Sequence, residues 1–350
     1  FSKVLMGVYD VQTTYLNVVG IYTNTTQVDA YRGAGRPEAI YLLERMMDRA
    51  ARELQIDPLE LRRNNFIKKD NFPYRSSTGE VIDVGDFDRV LSAAEVSADI
   101  KGFKRRKKET EATGKLRGLG LCYYIESILG DPSEEAKVVF QEDGEVKILV
   151  GTQSNGQGHE TVFAQFLSDQ TGIPTEKITV IQGDSDLIPN GGGTGGSRSV
   201  TVQNNATLAT VEKVIQSFSK YLAEKLGFDA KNIEFDDISF RINGSNYSPN
   251  MLEVAKMARD DERLDLLTHS ARATLDARSF PNGAHFAEVE IDPETGFVQV
   301  VRYSVVDDFG NLINPMLAEG QVHGGVAQGI GQALYENVVF DQEGQLLTAS

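Results

Sequence analysis

With 350 residues the chain is long enough for two or three packed units, and 25% charged against 40% hydrophobic residues is an ordinary globular balance without bulk disorder. Its 51 acidic against 35 basic residues leave a formal charge of −16, which repels phosphate backbones and anionic lipid headgroups and argues against nucleic acid as a partner. A single cysteine, Cys122, cannot form an internal disulfide or ligate an iron–sulfur cluster, and no apolar run reaches the ~18 residues of a membrane span, so a soluble protein is expected.

Residues 1–30 are rich in Val, Tyr and Thr, and alternation such as Tyr15-Leu16-Asn17-Val18-Val19 predicts strands entering a loop over 29–36. A helix follows, because Pro37 suits a first helical turn and Ile40, Leu43, Met47, Ala50 and Leu54 recur at helical spacing. Asp57-Pro58 opens a second short helix, with Asp57 and Glu60 spaced as a capping box. Residues 68–115 are more polar, broken by Gly79, Gly85, Gly102 and Gly114, and read as a join between two units. Within them the basic run from Lys104 to Lys108, followed by Glu109 and Glu111, reads as a solvated helix face. The apolar neighbours of Cys122 mark a buried structural thiol.

From residue 116 a pattern recurs: two strands around an acidic-Gly turn, a glycine-rich loop, then a helix. The turns lie at Glu142-Asp143-Gly144, Asp292 to Gly296 and Asp341 to Gly344. Helices are predicted over His159–Thr171, stopping at Gly172, and over about 206–226, stopping at Gly227. The chain opens on Phe1-Ser2-Lys3 and stops inside the last hairpin, at Leu347 to Ser350, so both ends read as cuts. The fold class expected is α+β, with mixed sheets, β-hairpins, glycine-rich loops and amphipathic helices.

Four glycine-rich segments stand out: Tyr31 to Arg36, Gly151 to Glu160, Gly191 to Ser199 and Glu319 to Gly325. Ordering glycine costs more backbone entropy than ordering any other residue, so such runs call for a return such as positive φ or close approach to a ligand. The second and third segments run into helix starts, whose free N–H groups and dipole suit an anion, and Ser197, Arg198 and Ser199 add hydroxyls and a guanidinium. Arg198 is read as an anion ligand rather than as core. Pro315 starts a helix containing Gly320, Gly324, Gly325, Gly329 and Gly331, each costing about 1 kcal/mol against alanine, so close packing or a ligand must compensate. Zinc-protease spacing around His159-Glu160 is absent, as are a Gly-x-Ser-x-Gly elbow, a phosphate-loop ending and a complete dinucleotide fingerprint. Asp184-Ser185-Asp186 reads as a turn, and the isolated histidines 159, 269, 285 and 323 as satisfied structural residues.

Taken in order, Ala30-Tyr31-Arg32-Gly33-Ala34-Gly35-Arg36-Pro37-Glu38, Gly156-Gln157-Gly158-His159-Glu160-Thr161, Gly193-Thr194-Gly195-Gly196-Ser197-Arg198-Ser199 and Asn314-Pro315 through Gln321-Val322-His323-Gly324-Gly325 resemble the molybdopterin-binding subunit of the xanthine dehydrogenase, aldehyde oxidase and carbon monoxide dehydrogenase family. The resemblance implies residues 1–75 as the end of a first cofactor-binding domain and 76–350 as a second, truncated one. It implies that Gln157, with Gly158 beside it, contacts the cofactor near the metal, and that Gly195, Gly196, Ser197, Arg198 and Ser199 hold the pterin or its phosphates. Tyr31, Arg32 and Gly33 would lie against the molybdenum ligands, and Gln321 would face the cofactor. Molybdenum is held through the pterin dithiolene, with no protein ligand.

The family's chemistry is hydroxylation with hydride transfer to a Mo=S sulfur. Its catalytic glutamate lies in a Gly-Glu-Ala-Gly-like motif that does not occur in residues 1–350, so no catalytic residue is assigned here and the piece alone is expected to be inactive. The resemblance further implies a cytosine dinucleotide form of the cofactor, an iron–sulfur small subunit with [2Fe–2S] clusters, a FAD medium subunit and a dimer of heterotrimers. It places the complex in the cytoplasm, or in the periplasm through a partner's signal. The substrate would be an aldehyde or an N-heterocycle. Carbon monoxide is disfavoured, because Gly33 stands where that branch carries a copper-binding cysteine. The alternatives are a non-catalytic pterin-binding module and a carbon monoxide dehydrogenase homologue.

Overall fold

The computed structural model describes residues 2–348. Its first part runs through α1 (Arg36–Leu54), α2 (Pro58–Asn65), the short strands β1 (Tyr74–Arg75) and β2 (Val81–Ile82), α3 (Phe87–Ser97), α4 (Phe103–Glu111) and β3 (Leu116–Ile125). Next come β4 (Ser133–Phe140), β5 (Val146–Val150), α5 (His159–Thr171), β6 (Ile178–Gln182), α6 (Ser199–Leu226), β7 (Ile233–Phe235), β8 (Phe240–Ile242), α7 (Met251–Asp260) and β9 (Thr268–Thr274). The chain then forms β10 (Asn282–Ile291), β11 (Val298–Asp308) and α8 (Pro315–Leu334). This is the α+β architecture expected.

Two compact units result. The first takes the residues up to 127, 278–311 and those from 322 on, and the second takes 128–277 and 312–321. In the first, a three-stranded antiparallel sheet, β11-β10-β3, pairs Ala284 with Val306 on one side and with Tyr123 on the other. The register shifts at Glu288/Val289. Its core gathers Tyr9, Phe66, Phe87, Leu91, Tyr123 and Phe286, with Phe66 edge-on to both Phe87 and Tyr123. Edge-on contacts let each ring edge meet the negative face of the next.

In the second unit the sheet order is β6-β5-β4-β9, with β4 antiparallel to β5 and β9, and β6 parallel to β5. A parallel neighbour needs a crossover, and α5 supplies it. Alternation along β4 and β5 turns Val138, Phe140, Val146, Ile148 and Val150 inward onto Phe163 and Leu167 of α5 and Val211, Val214, Phe218 and Leu222 of α6. α5 stops where predicted, Gly172 taking φ 69°, and Gly227 ends α6 at φ 74°.

Several expectations need correction. Residues 1–30 form no strands beyond an isolated Tyr9–Phe66 bridge, and Tyr15, Val18, Val19, Ile21 and Tyr22 are largely exposed. Alternation alone makes no strand: backbone N–H and C=O groups need a neighbouring chain, and beyond the Tyr9–Phe66 bridge none pairs with this segment among the described residues. α6 begins at Ser199, seven residues before the predicted 206, because its first turns bury the polar Gln203 and Asn204 beside a single apolar Val202, too little to mark an apolar stripe. The 68–115 join carries two helices and a hairpin, and Arg106 leaves the solvated face of α4 to pair with buried Glu288. Asp57 caps α2 by accepting from the Leu59 and Glu60 amides, while the reciprocal capping box forms instead at Asn250–Glu253. The last hairpin shows one bridge, Phe340–Leu346, and its end at Ala349-Ser350 lies outside the described residues. Cys122 is half-buried on β3, and burial pushes its thiol pKa up, so it does not ionise readily.

Candidate functional site

In the second unit two of the glycine-rich loops are zipped together. Gly151 and Gly191 touch through their backbones: a Cβ on Gly191 would lie 2.6 Å from the Gly151 carbonyl oxygen, and one on Gly151 would lie 2.7 Å from Gly191 Cα. Glycine is required at both positions for lack of space. The Gly193 N–H donates to Gly151 O (3.3 Å), and Thr194 Oγ1 accepts from the Gln153 N–H (2.9 Å) while donating to Gln153 O. Gln203, from the second turn of α6, accepts from the Gly151 N–H through Oε1 (3.1 Å) and donates to Glu135 O (3.0 Å). Nothing in the local pattern singles out Gln203, a polar residue in a helical stretch.

Arg198 is 2% exposed. Its Nε donates to Asp131 O (2.7 Å), its Nη2 to Ser133 O (2.7 Å), and its Nη1 to both Gly193 O (2.7 Å) and the Glu134 carboxylate (2.9 Å). The expectation that Arg198 stands outside the core as an anion ligand is therefore corrected: its charge is paired within the protein, and it braces the loop from inside. Ser197 is exposed at φ 60°, and Ser199 Oγ lies 3.5 Å from Thr194 Oγ1.

Gln157 and Gly158 sit at the start of α5. The Gln157 Oε1 accepts from the Asn155 N–H, and its Nε2 lies 3.1 Å from His159 Nε2. Burial lowers the pKa of His159, against the pull of Glu160 and Gln182, so the ring is neutral near neutral pH and its Nε2 accepts from Gln157. Both ends of the Gln157 amide are thus held. The buried Nδ1 of His159 makes no well-formed hydrogen bond among the described residues, so this histidine is not the fully satisfied one expected.

The helix starts divide into two kinds. Asp57 caps α2, Asp86 caps α3 and Asn250 caps α7, while Asn314 accepts from Leu317 at the start of α8. α1, α5 and α6 start from Gly35, Gly158 and Arg198 with no side-chain cap. These are the helices behind the glycine-rich loops. α4 also lacks a side-chain cap, but it continues a 3-10 turn in which the Phe103 N–H bonds Ile100 O. An uncapped start leaves N–H donors and the positive end of the helix dipole turned outward. Around these starts, a Cβ added at Gly156, Gly193 or Gly195 would meet nothing within 4 Å, so a ligand can approach the backbone there.

In the first unit Gly33, Ala34 and Gly35 follow one another at φ 101°, 50° and 89°. Arg36 holds this turn: its Nε donates to Gly33 O (2.8 Å), its Nη1 to Ser127 O (2.6 Å), and it is ion-paired with Glu126. Tyr31 and Arg32 are exposed. The Arg32 guanidinium lies 3.1 Å from where a Gly324 Cβ would be, and Gln328 Nε2 is 3.5 Å from Arg32 O. One glycine of α8 thus gives room to the loop. Gln321 lies on the exposed surface of α8, a helix without a buried residue among those described.

A cavity of about 230 Å³ opens beside Gly191 and Gly192. It is lined by Asp131, Glu134 and Glu135 and by one arginine, Arg272, a residue set poorer in positive than in negative charge that does not suit an anion. Within the second unit the anion-favouring positions are the starts of α5 and α6. Among the described residues no group of three or more His, Cys, Asp or Glu side chains is placed to hold a metal ion.

The molybdopterin cofactor-binding domain family matches residues 1–66 and 93–350. The chain is 30% identical to the carbon monoxide dehydrogenase large chain of Afipia carboxidovorans over 100% of its own length and 46% of that protein. It is 33% identical to the nicotine 6-hydroxylase large subunit of Paenarthrobacter nicotinovorans over 98% of its length and 44% of the relative. Quinoline 2-oxidoreductase from Pseudomonas putida 86 superposes with a TM-score of 0.91 at 29% identity, covering 99% of this chain and 47% of that one. The chain thus spans less than half the length of each. A fold shared over its whole length, with glycine-rich loops and uncapped helix starts in the matched regions, makes this chain a member of the molybdopterin-binding large-subunit family of the xanthine dehydrogenase and carbon monoxide dehydrogenase type.

Proposed function

We propose that the chain holds a molybdopterin cofactor on the loops that precede α1, α5 and α6, within an oxidoreductase that hydroxylates an N-heterocycle or an aldehyde. The observation that carries this reading is the contrast in helix starts: α1, α5 and α6 start uncapped right behind these loops, whereas α2, α3 and α7 are capped by Asp57, Asp86 and Asn250. Gly195, Gly196, Ser197 and Ser199 would offer backbone and hydroxyl donors to the pterin or its phosphates, with Arg198 fixing their positions. Gln157, pinned by Asn155 and His159, would present its amide beside Gly158 toward the cofactor. By the family resemblance Tyr31, Arg32 and Gly33 would lie against the molybdenum ligands, and Gln321 would face the cofactor.

When bound, molybdopterin supplies a molybdenum centre able to take two electrons from a substrate carbon. The chain's own residues bind and orient it. The proton-abstracting glutamate, a cytosine dinucleotide extension, [2Fe–2S] clusters, FAD and the small and medium subunits that carry them belong to the same proposal, as do a division of the cofactor-binding domains near residue 75 and a dimer of heterotrimers.

Carbon monoxide is the less favoured substrate. Gly33 occupies the position of the copper-bearing cysteine, and its φ of 101° with a would-be Cβ 2.3 Å from Pro37 Cγ leaves no room for a thiol in this loop. Copper(I) needs a soft sulfur ligand, and Cys122 belongs to a different element, β3. Metal and pterin analysis of the purified full-length protein, with turnover assays on nicotine-like or quinoline-like heterocycles, aldehydes and carbon monoxide, tests the reading. Stoichiometric copper with carbon monoxide oxidation would overturn it, as would a protein that binds no pterin.

A further inference from the structure

We infer that Glu134 is a positioning residue: with Arg198 it forms a buried clamp that sets both glycine-rich loops of the second unit for the cofactor. This rests on the reading that those loops hold molybdopterin. Glu134 lies on β4 between the two loops, and its side chain is 0% exposed. Through Oε1 it accepts from the Gly192 N–H at 2.6 Å and from Arg198 Nη1 at 2.9 Å. Its Oε2 accepts from the Glu135 N–H and lies where a Cβ on Gly151 would come within 2.3 Å. One carboxylate therefore contacts the first loop at Gly151 and the second at Gly192.

Arg198 completes the clamp from the other side. A Cβ on Gly192 would lie 2.6–2.7 Å from the guanidinium atoms, so the loop wraps directly over the arginine. Beyond Glu134 the guanidinium spends its donors on the carbonyls of Asp131, Ser133 and Gly193, and the Leu129 N–H ties Gly196 O at 2.8 Å. Lysine has a point charge in place of a planar fork and cannot reproduce bonds in these directions. A carboxylate alone on a sheet face would be a costly buried charge, and a guanidinium alone likewise. As a pair they fix a loop made of residues that otherwise resist ordering.

The test uses the full-length protein isolated with its cofactor, reading molybdenum and pterin per polypeptide beside the melting temperature. Gly195→Val adds a side chain on the open side of the loop, away from the clamp, and should lower cofactor content with melting unchanged. Unchanged content in that variant would overturn the cofactor-loop reading, and the clamp with it. Arg198→Lys keeps a charge opposite Glu134 and should fold, with cofactor content down about tenfold for the lost fork. Glu134→Gln leaves Arg198 unpaired and should lose both stability and cofactor. The double variant E134Q/R198M removes both charges, so melting should recover while cofactor content stays low. If Gly195→Val loses cofactor but Arg198→Lys keeps it in full, or if content recovers with melting in the double variant, Glu134 and Arg198 serve only the fold and the positioning role is wrong.

Discussion

Arg62 in the first unit and Arg198 in the second are both almost completely buried, and what surrounds the two differs. Arg62 of the first unit is 0% exposed, donating to Glu44 (2.9 Å), Asp48 (3.0 Å), Pro58 O (3.1 Å) and Glu44 O (3.3 Å). All of these partners belong to α1 or α2, and Glu44 in turn accepts from the Tyr9 hydroxyl and the Tyr123 N–H. Arg62 thus knits regular elements whose positions their own packing already favours. Arg198 in the second unit ties the first residues of β4, Ser133 and Glu134, to backbone with no ladder or helix of its own, at Asp131 and Gly193. The same device, a guanidinium against a buried carboxylate, stiffens a core in one place and a loop in the other.

If that equivalence holds, deleting either arginine strands a buried carboxylate, and each of Arg62→Ala and Arg198→Ala should cost about 3 to 5 kcal/mol of stability in urea unfolding. The comparison breaks if Arg198→Ala costs under about 1 kcal/mol, as expected of an exposed ligand side chain. Arg198→Ala should lose cofactor as well, whereas Arg62→Ala, if it folds at low temperature, should retain it.

Two glycines sharpen the point on a smaller scale. Gly196 has φ 65° and faces inward, with a would-be Cβ 2.5 Å from Leu129 O. Gly156 has φ 102° and faces open space. Gly196→Ala should therefore pay for both backbone strain and a clash, about 2 to 4 kcal/mol, and Gly156→Ala for backbone strain alone, about 1 to 2 kcal/mol. Equal destabilisation of the two, measured by thermal melts, would contradict the inward and outward division of the loops.

Much of this was legible in the sequence, for reasons that also explain the gaps. α5 and its Gly172 stop follow from apolar spacing and from a residue type that reports φ directly. The hairpins at Gly144 and Gly296 follow from turn chemistry, and the glycine-rich loops were found because glycine clusters are costly without a use. What escaped was every role set by a partner distant in sequence. Arg198 looks like an anion ligand until Glu134, 64 positions away, is folded beneath it. Arg62 sits unremarked in a short helix until Glu44 meets it. Tyr15 to Val19 alternates as a strand would, but strand formation depends on a pairing that local sequence cannot encode.

The smallest effect concerns another carboxylate between arginines, and it is read through pH. Glu288 on β10 is 2% exposed, ion-paired with Arg106 and, at 2.6 Å, with Arg117. Burial pushes its carboxyl up, but the hydrogen bonds and charges of Arg106 and Arg117 outweigh burial and hold it below the ordinary glutamate value. At Glu44 burial wins instead and leaves the carboxyl raised, against Arg62, Tyr9 and the Tyr123 amide. The two therefore bear on stability with opposite signs. A carboxyl lowered on folding binds protons less readily folded than unfolded. The contribution of Glu288 is thus complete above the ordinary value of about 4.3 and disappears as pH falls through its lower folded value. A raised carboxyl such as Glu44 contributes below that ordinary value and loses its contribution as pH rises through the folded one. Glu288→Gln should therefore destabilise most near neutral pH, with the gap to the parent protein narrowing as pH falls below about 4.3. Urea midpoints of both proteins across that range check it. A gap that stays constant would mean that Glu288 acts by shape and hydrogen bonding, with its charge contributing nothing.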